Sequence, residues 1–356
     1  MLLKLQTIAG TIVINNKWIL NLKNSTIKDI ANEINVSSST VSRALSDHPD
    51  ISEKTKTLVK KVAEEFNYNP NLIAQSLKSQ RTKTIGVVVP EIDHIFFSAA
   101  ISGIEEVAYR AGYTIMVCRS NEDVNREILN LDSLLANRVA GVIASISQTT
   151  KDGAHFQKLI DNNVPVVFFD RVIEDIDACK VIINDKKSAI NAVNHLIEKG
   201  YSKIAHFTGP KELNVSKHRL AGFREAMAKN NLKVNEDWII VGGLHEKDGY
   251  SAFEKLLELP ELPDAIFAIN DPNAVGAMKK MREVGIKIPD DIAIIGFSNN
   301  PVCEIIIPNL TTIHQPAYEM GKKSTELMFD SISGNKNSCN NKTIVLDSHL
   351  VVRDSC

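Results

Sequence analysis

Cysteine is scarce in this sequence and never clustered. The five cysteines, Cys118, Cys179, Cys303, Cys339 and Cys356, are odd in number and lie far apart, without a C-x-x-C pair or a Cys/His group. That spacing excludes a zinc ribbon or a dense disulfide scaffold, so reduced, structurally incidental thiols are expected. Long apolar runs are missing as well: none reaches the roughly 18 residues that span a bilayer, so no membrane segment is expected. The opening MLLKLQTIAGTIVINNKWILNLKNS is apolar only in short pieces, broken by Gln6, Thr7, Asn15 and Asn16, and it lacks a clear cleavage site for an export signal. Residues 1–24 are expected to be a disordered extension or to precede the true start, since LKNSTIKDIA from Leu22 reads as a natural beginning. No P-loop, G-x-G-x-x-G, G-x-S-x-G or H-E-x-x-H occurs, and the nine histidines are scattered. An enzyme is therefore not expected, nor a metal or a cofactor.

What the chain has is enough length and apolar content for more than one core. At 356 residues, with 44% hydrophobic and 24% charged residues, two or three soluble domains are expected. The net charge of −2 conceals an asymmetry: residues 1–83 hold 12 Lys/Arg against 7 Asp/Glu, and the remainder 29 against 36. A basic end beside an acidic body suits a polyanionic partner for that end alone.

From Thr26 the pattern becomes regular. Thr26 with Asp29 is a capping-box signature, and Ile27, Ile30, Ala31 and Ile34 form one apolar helical stripe. Asn35 falls at the turn, where left-handed backbone is needed and Asn tolerates it. Ser37 suits the N-cap of a second helix, Ser38 to Leu45, with Val41, Ala44 and Leu45 inward. Its outer face, Ser38, Ser39, Thr40, Ser42 and Arg43, is small and hydrogen-bonding. Such a face fits a major groove, with Arg43 able to reach guanine or phosphate. A third helix from Ser52 to about Phe66 offers Thr55, Leu58, Val59, Val62, Ala63 and Phe66 to close a three-helix core.

The segment TIKDIANEINVSSSTVSRALSDHPDISEKTKTLVKKVAEEFNYNPNLIAQSLKSQRTKTIGVVVP resembles the opening of the LacI/GalR family, the lac-repressor-like bacterial transcription regulators. The V-S-x-x-T-V-S-R-x-L and Y-x-P-N-x-x-A-x-x-L blocks carry the likeness, which continues almost to the C-terminus. It implies that Ser38 and Ser39 occupy the base-selecting positions, beside Arg43. Thr26, Ser37, Ser42, Ser52 and Thr55 would contact phosphate. Residues 25–70 would then be a helix-turn-helix domain and 71–83 a hinge. The hinge has helical spacing but is too short to be stable alone in water. The resemblance implies that Leu77 wedges into the minor groove, a step whose unstacking cost wider contacts must offset. Asn71, Ala74, Gln75 and Lys78 would line the same groove.

From Thr84 onward, short β-rich runs (TIGVVV, TIMVC, AGVIAS, PVVFF, KIAHF, DAIFAI, DIAIIGF) alternate with helical patterns, so doubly wound parallel sheets in two lobes are expected. The resemblance implies the periplasmic-binding-protein type I fold for residues 84–356. Lobe 1 would hold about 84–182 and 313–342, and lobe 2 about 183–312 and 343–356, with crossings near Ile183, Thr312 and Lys342. Ligands of open α/β sheets sit beyond the carboxyl ends of the strands. That rule selects Pro90, His94, Phe96, Phe97, Ser120, Ser145, Asp170, Arg171, Arg219, Asn270, Asp271, Ser298 and Asn299. The mixture of bidentate hydrogen-bonders and aromatic faces suits a polyhydroxylated ring. The resemblance singles out Arg219, in HRLAGF, and the Asn270–Asp271 pair. GFSNNP, with Ser298 and Asn299, departs from the acidic residue many relatives carry there. A pocket holding Arg171 and Arg219 suits an acidic or phosphorylated sugar, although Asp170 and Arg171 could instead pair with each other and Phe97 could belong to the core.

The reading that results is a cytoplasmic, homodimeric transcription regulator. It would hold a pseudo-palindromic operator and be switched by a small, carbohydrate-like effector. The tetramer-forming leucine heptads of some relatives have no counterpart. The alternative, a sugar-binding protein of the periplasmic type without DNA function, would require an export signal and no DNA-reading head.

Overall fold

The computed structural model describes residues 25–66, 68, 82–333 and 341–356, together with the backbone of three short strands before them. The chain divides into two compact units, Met1–Gln80 and Arg81–Cys356.

In the first unit, β1 (Gln6–Ile8), β2 (Thr11–Ile14) and β3 (Lys17–Asn21) pair as an antiparallel meander. This differs from the disorder expected there. TIVI and KWILN are rich in β-branched and aromatic residues, which favour paired strands over coil. The three expected helices follow: α1 (Ile27–Glu33), α2 (Ser38–Leu45) and α3 (Glu53–Glu65). Asn35 takes φ +54° at the turn between α1 and α2. Ile30, Val41, Ala44 and Val59 are fully buried, with Val62 and Ala63 beside them. Each such Ile or Val contributes on the order of 2 kcal/mol. Leu58, expected inward, is 47% exposed, because it lies at the edge of the stripe centred on Val59, Val62 and Ala63.

The second unit holds two six-stranded sheets. One runs β14-β8-β7-β6-β4-β5 and is parallel throughout. Its strands are β4 (Thr84–Val89), β5 (Thr114–Arg119), β6 (Gly141–Ala144), β7 (Val166–Phe169), β8 (Cys179–Ile183) and β14 (Thr343–Leu346). The other runs β10-β9-β11-β12-β13-β15 and is parallel except for its last strand. It is built from β9 (Ile204–Thr208), β10 (Ile239–Val241), β11 (Ala265–Ala268), β12 (Ala293–Ser298), β13 (Thr311–His314) and β15 (His349–Val351). The helices that position the cleft are α4 (Ile95–Arg110), α5 (Val124–Ala136), α6 (Ala154–Asp161), α7 (Asp185–Glu198), α8 (Asn214–Lys229), α9 (Glu246–Leu257), α10 (Asp271–Glu283) and α11 (Ala317–Ile332). The central strands β6, β7, β9, β11 and β12 are buried at every residue, as helices on both faces require.

The two sheets form the two lobes. The chain passes between them after Ile183, after His314 and after Leu346. The first crossing is where the sequence suggested. The other two fall a few residues late, because β13 keeps pairing with β12 as far as His314 and β14 pairs with β8 from Thr343 onward. On lobe 1, α4 and α11 approach backbone to backbone. A Cβ on Gly103 would meet the Tyr318 carbonyl oxygen at 2.1 Å, and one on Gly321 the Ala100 carbonyl oxygen at 2.0 Å.

Cys118, Cys303 and Cys356 are free thiols. Cys179 is disulfide-bonded, against the expectation of reduced cysteines. Sequence spacing carries no mark of that bridge. Among the described residues no helix is long and apolar enough to cross a membrane, and no group of His, Cys, Asp and Glu could hold a metal ion.

Candidate DNA-reading face and ligand cleft

Three side-chain caps set the first unit's outer surface. Thr26 accepts from the Asp29 N–H, and the Asp29 carboxylate accepts from the Thr26 N–H at 2.7 Å, completing the capping box. Ser37 Oγ accepts from the Thr40 N–H at 3.1 Å and lies 2.7 and 2.8 Å from the hydroxyls of Ser39 and Thr40. Ser52 Oγ accepts from the Thr55 N–H at 3.3 Å and lies 2.9 Å from the Thr55 hydroxyl. The expected phosphate contacts Thr26, Ser37, Ser52 and Thr55 thus sit at helix N-termini, where free N–H groups and the helix dipole favour an anion, whereas Ser42 lies within α2. Thr26 is the least favourable of them, because the Asp29 carboxylate shares its position.

On α2, Ser39 and Arg43 are exposed, and Ser38, Thr40 and Ser42 are half-buried. Arg43 has no ion-pair or hydrogen-bond partner among the described residues, whereas Lys56 and Lys60 are tied to Glu53 and Asp47. Residues 25–68 are close to neutral, with six Lys/Arg against seven Asp/Glu. The basic excess lies in the flanks: residues 1–24 and 69–83 each carry three cations and no acid. The helical face therefore offers shape, hydroxyls and one free guanidinium, and long-range attraction to a polyanion falls to the flanks. The hinge residues Asn71, Ala74, Gln75, Leu77 and Lys78 lie outside the described residues.

In the second unit, strand ends from both lobes converge on a narrow cleft. His94, Phe96, Phe97, Asp170, Arg171, Arg219, Asn270 and Ser298 line it, as the sequence rule proposed, together with Val215, Leu244, Ile269 and Gln315, which that rule missed. Its free space is about 30 Å³, room for roughly two water molecules. A wider recess of about 340 Å³ shares Phe96, Ser298 and Gln315 with it and continues past Ile95, Ala99 and Tyr318.

Both arginines are already paired. Arg171 donates to both Glu122 oxygens at 2.8 and 3.0 Å, and each of the two residues is about 7% exposed. The expected alternative, an Asp170–Arg171 pair, does not form. Arg219 donates to Asp185 from Nε at 2.8 Å and from a terminal nitrogen at 2.7 Å, and to the Ile269 carbonyl at 2.6 Å. Its guanidinium carbon lies 3.5 Å from the Phe297 ring centre. Each arginine is thus paired with an acid the sequence rule did not select.

Asp170 is the acid left over. It sits at φ +59°, and burial pushes its carboxyl up to about 6 despite Arg171 and Arg219 nearby. Gln315 Nε2 donates to it at 3.3 Å, and Gln315 Oε1 in turn accepts from the Ser298 hydroxyl at 2.8 Å. Ser298 holds φ +121°, a conformation few non-glycine residues adopt, and such strain gathers at functional sites. His94 is pushed down to about 4, first by burial and then by the Arg171 charge, so its ring is neutral near pH 7. Its Nδ1 is buried without a partner.

Asn214 joins the lobes. Its Nδ2 donates to the Asp170 carbonyl and its Oδ1 accepts from the Val172 N–H, both at 3.1 Å. Asn270 caps α10 by accepting from the Asn273 N–H and donates to the Leu244 carbonyl, so it lines the cleft as a braced residue.

Five of the expected residues, Pro90, Ser120, Ser145, Asp271 and Asn299, lie outside this lining, and only Asn299 borders the wider recess. Asp271 is fully buried, accepting from the Thr312 hydroxyl and the Asn300 N–H, and burial raises its pKa. It fastens the β12–β13 region. Asn299 turns away to Arg353 and His314. Ser120 and Ser145 are buried with unpartnered hydroxyls beneath the strand ends, outside the cleft lining.

With this geometry in hand, two family models match the chain: "Bacterial regulatory proteins, lacI family" over residues 26–71, and "Periplasmic binding protein-like domain" over 193–356. An HTH-type transcriptional repressor PurR from Vibrio campbellii is 33% identical over 333 residues, 93% of this chain and 98% of that protein. The chain belongs to the lacI family of bacterial regulatory proteins. A PurR repressor of Actinobacillus pleuropneumoniae is 32% identical over 93% of this chain and 98% of that protein. Among solved structures, a lac repressor dimer bound to operator and the anti-inducer ONPF superposes with TM-score 0.82, at 26% identity, over 94% of this chain and 99% of that one. A CelR regulator–cellobiose complex gives TM-score 0.71 at 27% identity, over 94% of this chain and all of that one. Membership of the lacI family makes the chain a regulatory protein rather than an enzyme. It also accounts for a DNA-reading head and a periplasmic-binding-like body on one chain.

Proposed function

We propose that this lacI-family protein is a cytoplasmic, homodimeric repressor that binds a pseudo-palindromic operator and is switched by a small polar-ring effector such as a sugar. The observation that carries the reading is the pairing, on one chain, of a hydroxyl-faced α2 bearing a free Arg43 with a cleft where eight strand-end residues from two lobes meet. Ser38, Ser39 and Arg43 read bases, and Ser37, Ser52 and Thr55 hold phosphates. Thr26, Thr40 and Ser42 support that contact, and the hinge with Leu77 opens the minor groove.

The cleft is too small for a ring ligand as it stands, so binding must part the lobes or move the Asp170–Gln315 and Asn214 contacts that join them. Ligand occupancy then changes lobe closure, which sets the spacing of the two hinges on DNA and thereby operator affinity. Among the relatives, the CelR structure holds cellobiose, which supports a carbohydrate here. The test is a fluorescence-anisotropy titration against DNA upstream of the protein's own gene. Leu77→Ala should weaken operator binding far more than binding to random DNA; equal losses on both would remove the wedge from the mechanism.

A further inference from the structure

We infer that a proton-operated latch holds the two lobes together. Two glutamates of lobe 1, Glu91 and Glu174, each face a histidine of lobe 2, His245 and His218, and each contact is an ion pair only while its histidine carries a proton. Glu91 follows β4 and lies 3.4 Å from His245, at the N-cap of α9; Glu174 stands between β7 and β8 and lies 3.5 Å from His218 on α8. Among the described residues these are the only ion pairs that cross between the lobes. Every Lys and Arg of the body that pairs with an acid does so within its own lobe, so no permanent cation bridges the cleft in an ion pair. The Glu91–His245 pair is the more sheltered, at 22% and 33% exposure, and carries the larger share of the attraction.

The surroundings of each pair are mixed in sign. Near Glu91 and His245 stand Asp93 and His94 on the Glu91 loop, the Glu122–Arg171 pair, and on α9 Asp248, whose carboxylate accepts from the His245 N–H at 2.9 Å, and Glu246, which Lys279 holds. Burial raises the Glu91 carboxyl and the His245 charge draws it down again, as a working pair requires. Near His218 stand Asp185, already held by Arg219, and on the Glu174 loop Asp175 and Asp177 beside Lys180. Asp170, at about 6, changes its own charge in the same cleft, so the latch shows in the difference between proteins that both keep Asp170. Histidine changes charge between about pH 5 and 8. Acid therefore closes the latch, and alkali leaves two neutral rings facing carboxylates with no charge to hold the lobes. The consequence for regulation rests on the cleft being the effector site: ligand entry, which parts the lobes or moves their contacts, works against the latch, so acid weakens effector binding and effector binding releases protons.

The test is energy transfer across the cleft of the full-length, ligand-free protein. A pH-insensitive dye pair is carried on unnatural amino acids at Lys151 of lobe 1 and Lys211 of lobe 2, both exposed. As pH falls from 8.5 to 5.5, the ratio of closed to parted molecules should rise by roughly threefold, the weight of two partly exposed pairs. Glu91→Gln with Glu174→Gln, which keeps Asp170 and both histidines, should remove most of that rise, and His218→Gln with His245→Gln should remove it from the other side of the latch. An equal rise in these variants, or no rise in the native protein, overturns the inference. These outcomes are separable from the regulator reading: absence of operator binding in a protein whose lobes still close in acid would sink the regulator alone.

Discussion

Replacing Asp170 by Asn should make the protein more stable near neutral pH, and the gain should vanish in acid. Asp170 is buried at the cleft wall, and its carboxyl is raised from 3.8 to about 6 because burial outweighs the attraction of Arg171 and Arg219, with Asp185 opposing them. The native state therefore keeps a proton that the unfolded chain has already released. Stability contributed by this group is intact below the unfolded value, falls as pH rises from about 4 to 6, and is fully lost above. Two pKa units correspond to about 3 kcal/mol. Asn adopts the left-handed backbone that position 170 holds at φ +59°. Its carbonyl can still accept from Gln315, while its amide needs a new acceptor, so a net gain of about 2 kcal/mol near pH 7 is expected. For a body of this size that is about 4–6 °C in melting temperature. Differential scanning calorimetry of both proteins across this pH range reads it directly. Ligand affinity should fall in the same variant, since the acid lines the cleft. Destabilisation at neutral pH that fades in acid would show that the arginines hold Asp170 as a favourable carboxylate and that the reasoning is wrong.

Other outcomes follow from the same contacts. Asn214→Ala removes two buried hydrogen bonds between the lobes and should cost about 2 kcal/mol in denaturant unfolding, with weaker ligand binding; unchanged ligand affinity would mean the lobes close without it. Gly321→Ala drives a methyl into the Ala100 carbonyl and should cost roughly 1–3 kcal/mol by the same assay. Arg43→Ala should abolish discrimination between operator and random DNA, whereas a uniform loss with a shallower salt dependence would reassign Arg43 to phosphate.

The DNA-reading head was legible in the sequence because its determinants are local. Caps at Thr26, Ser37 and Ser52 act on N–H groups three residues away, and the inward positions repeat at helical spacing. The cleft was legible only in outline. The rule of strand carboxyl ends found eight lining residues, yet it could not say which strand-end side chains would be consumed by the fold. Asp271 and Thr312 meet across 41 positions, Arg171 and Glu122 across 49, and Arg219 and Asp185 across 34. Those pairings decide the charge of the site, and no periodicity records them. Gln315 escaped notice because it follows a strand that hands the chain to the other lobe, a crossing the sequence placed slightly early.

The most direct test of the account is a closed binding cycle. Operator affinity is measured with and without a saturating ligand, and ligand affinity with and without operator. The account predicts that the ligand changes operator affinity and that operator changes ligand affinity by the same factor. Tight binding of both partners with no mutual effect would contradict it.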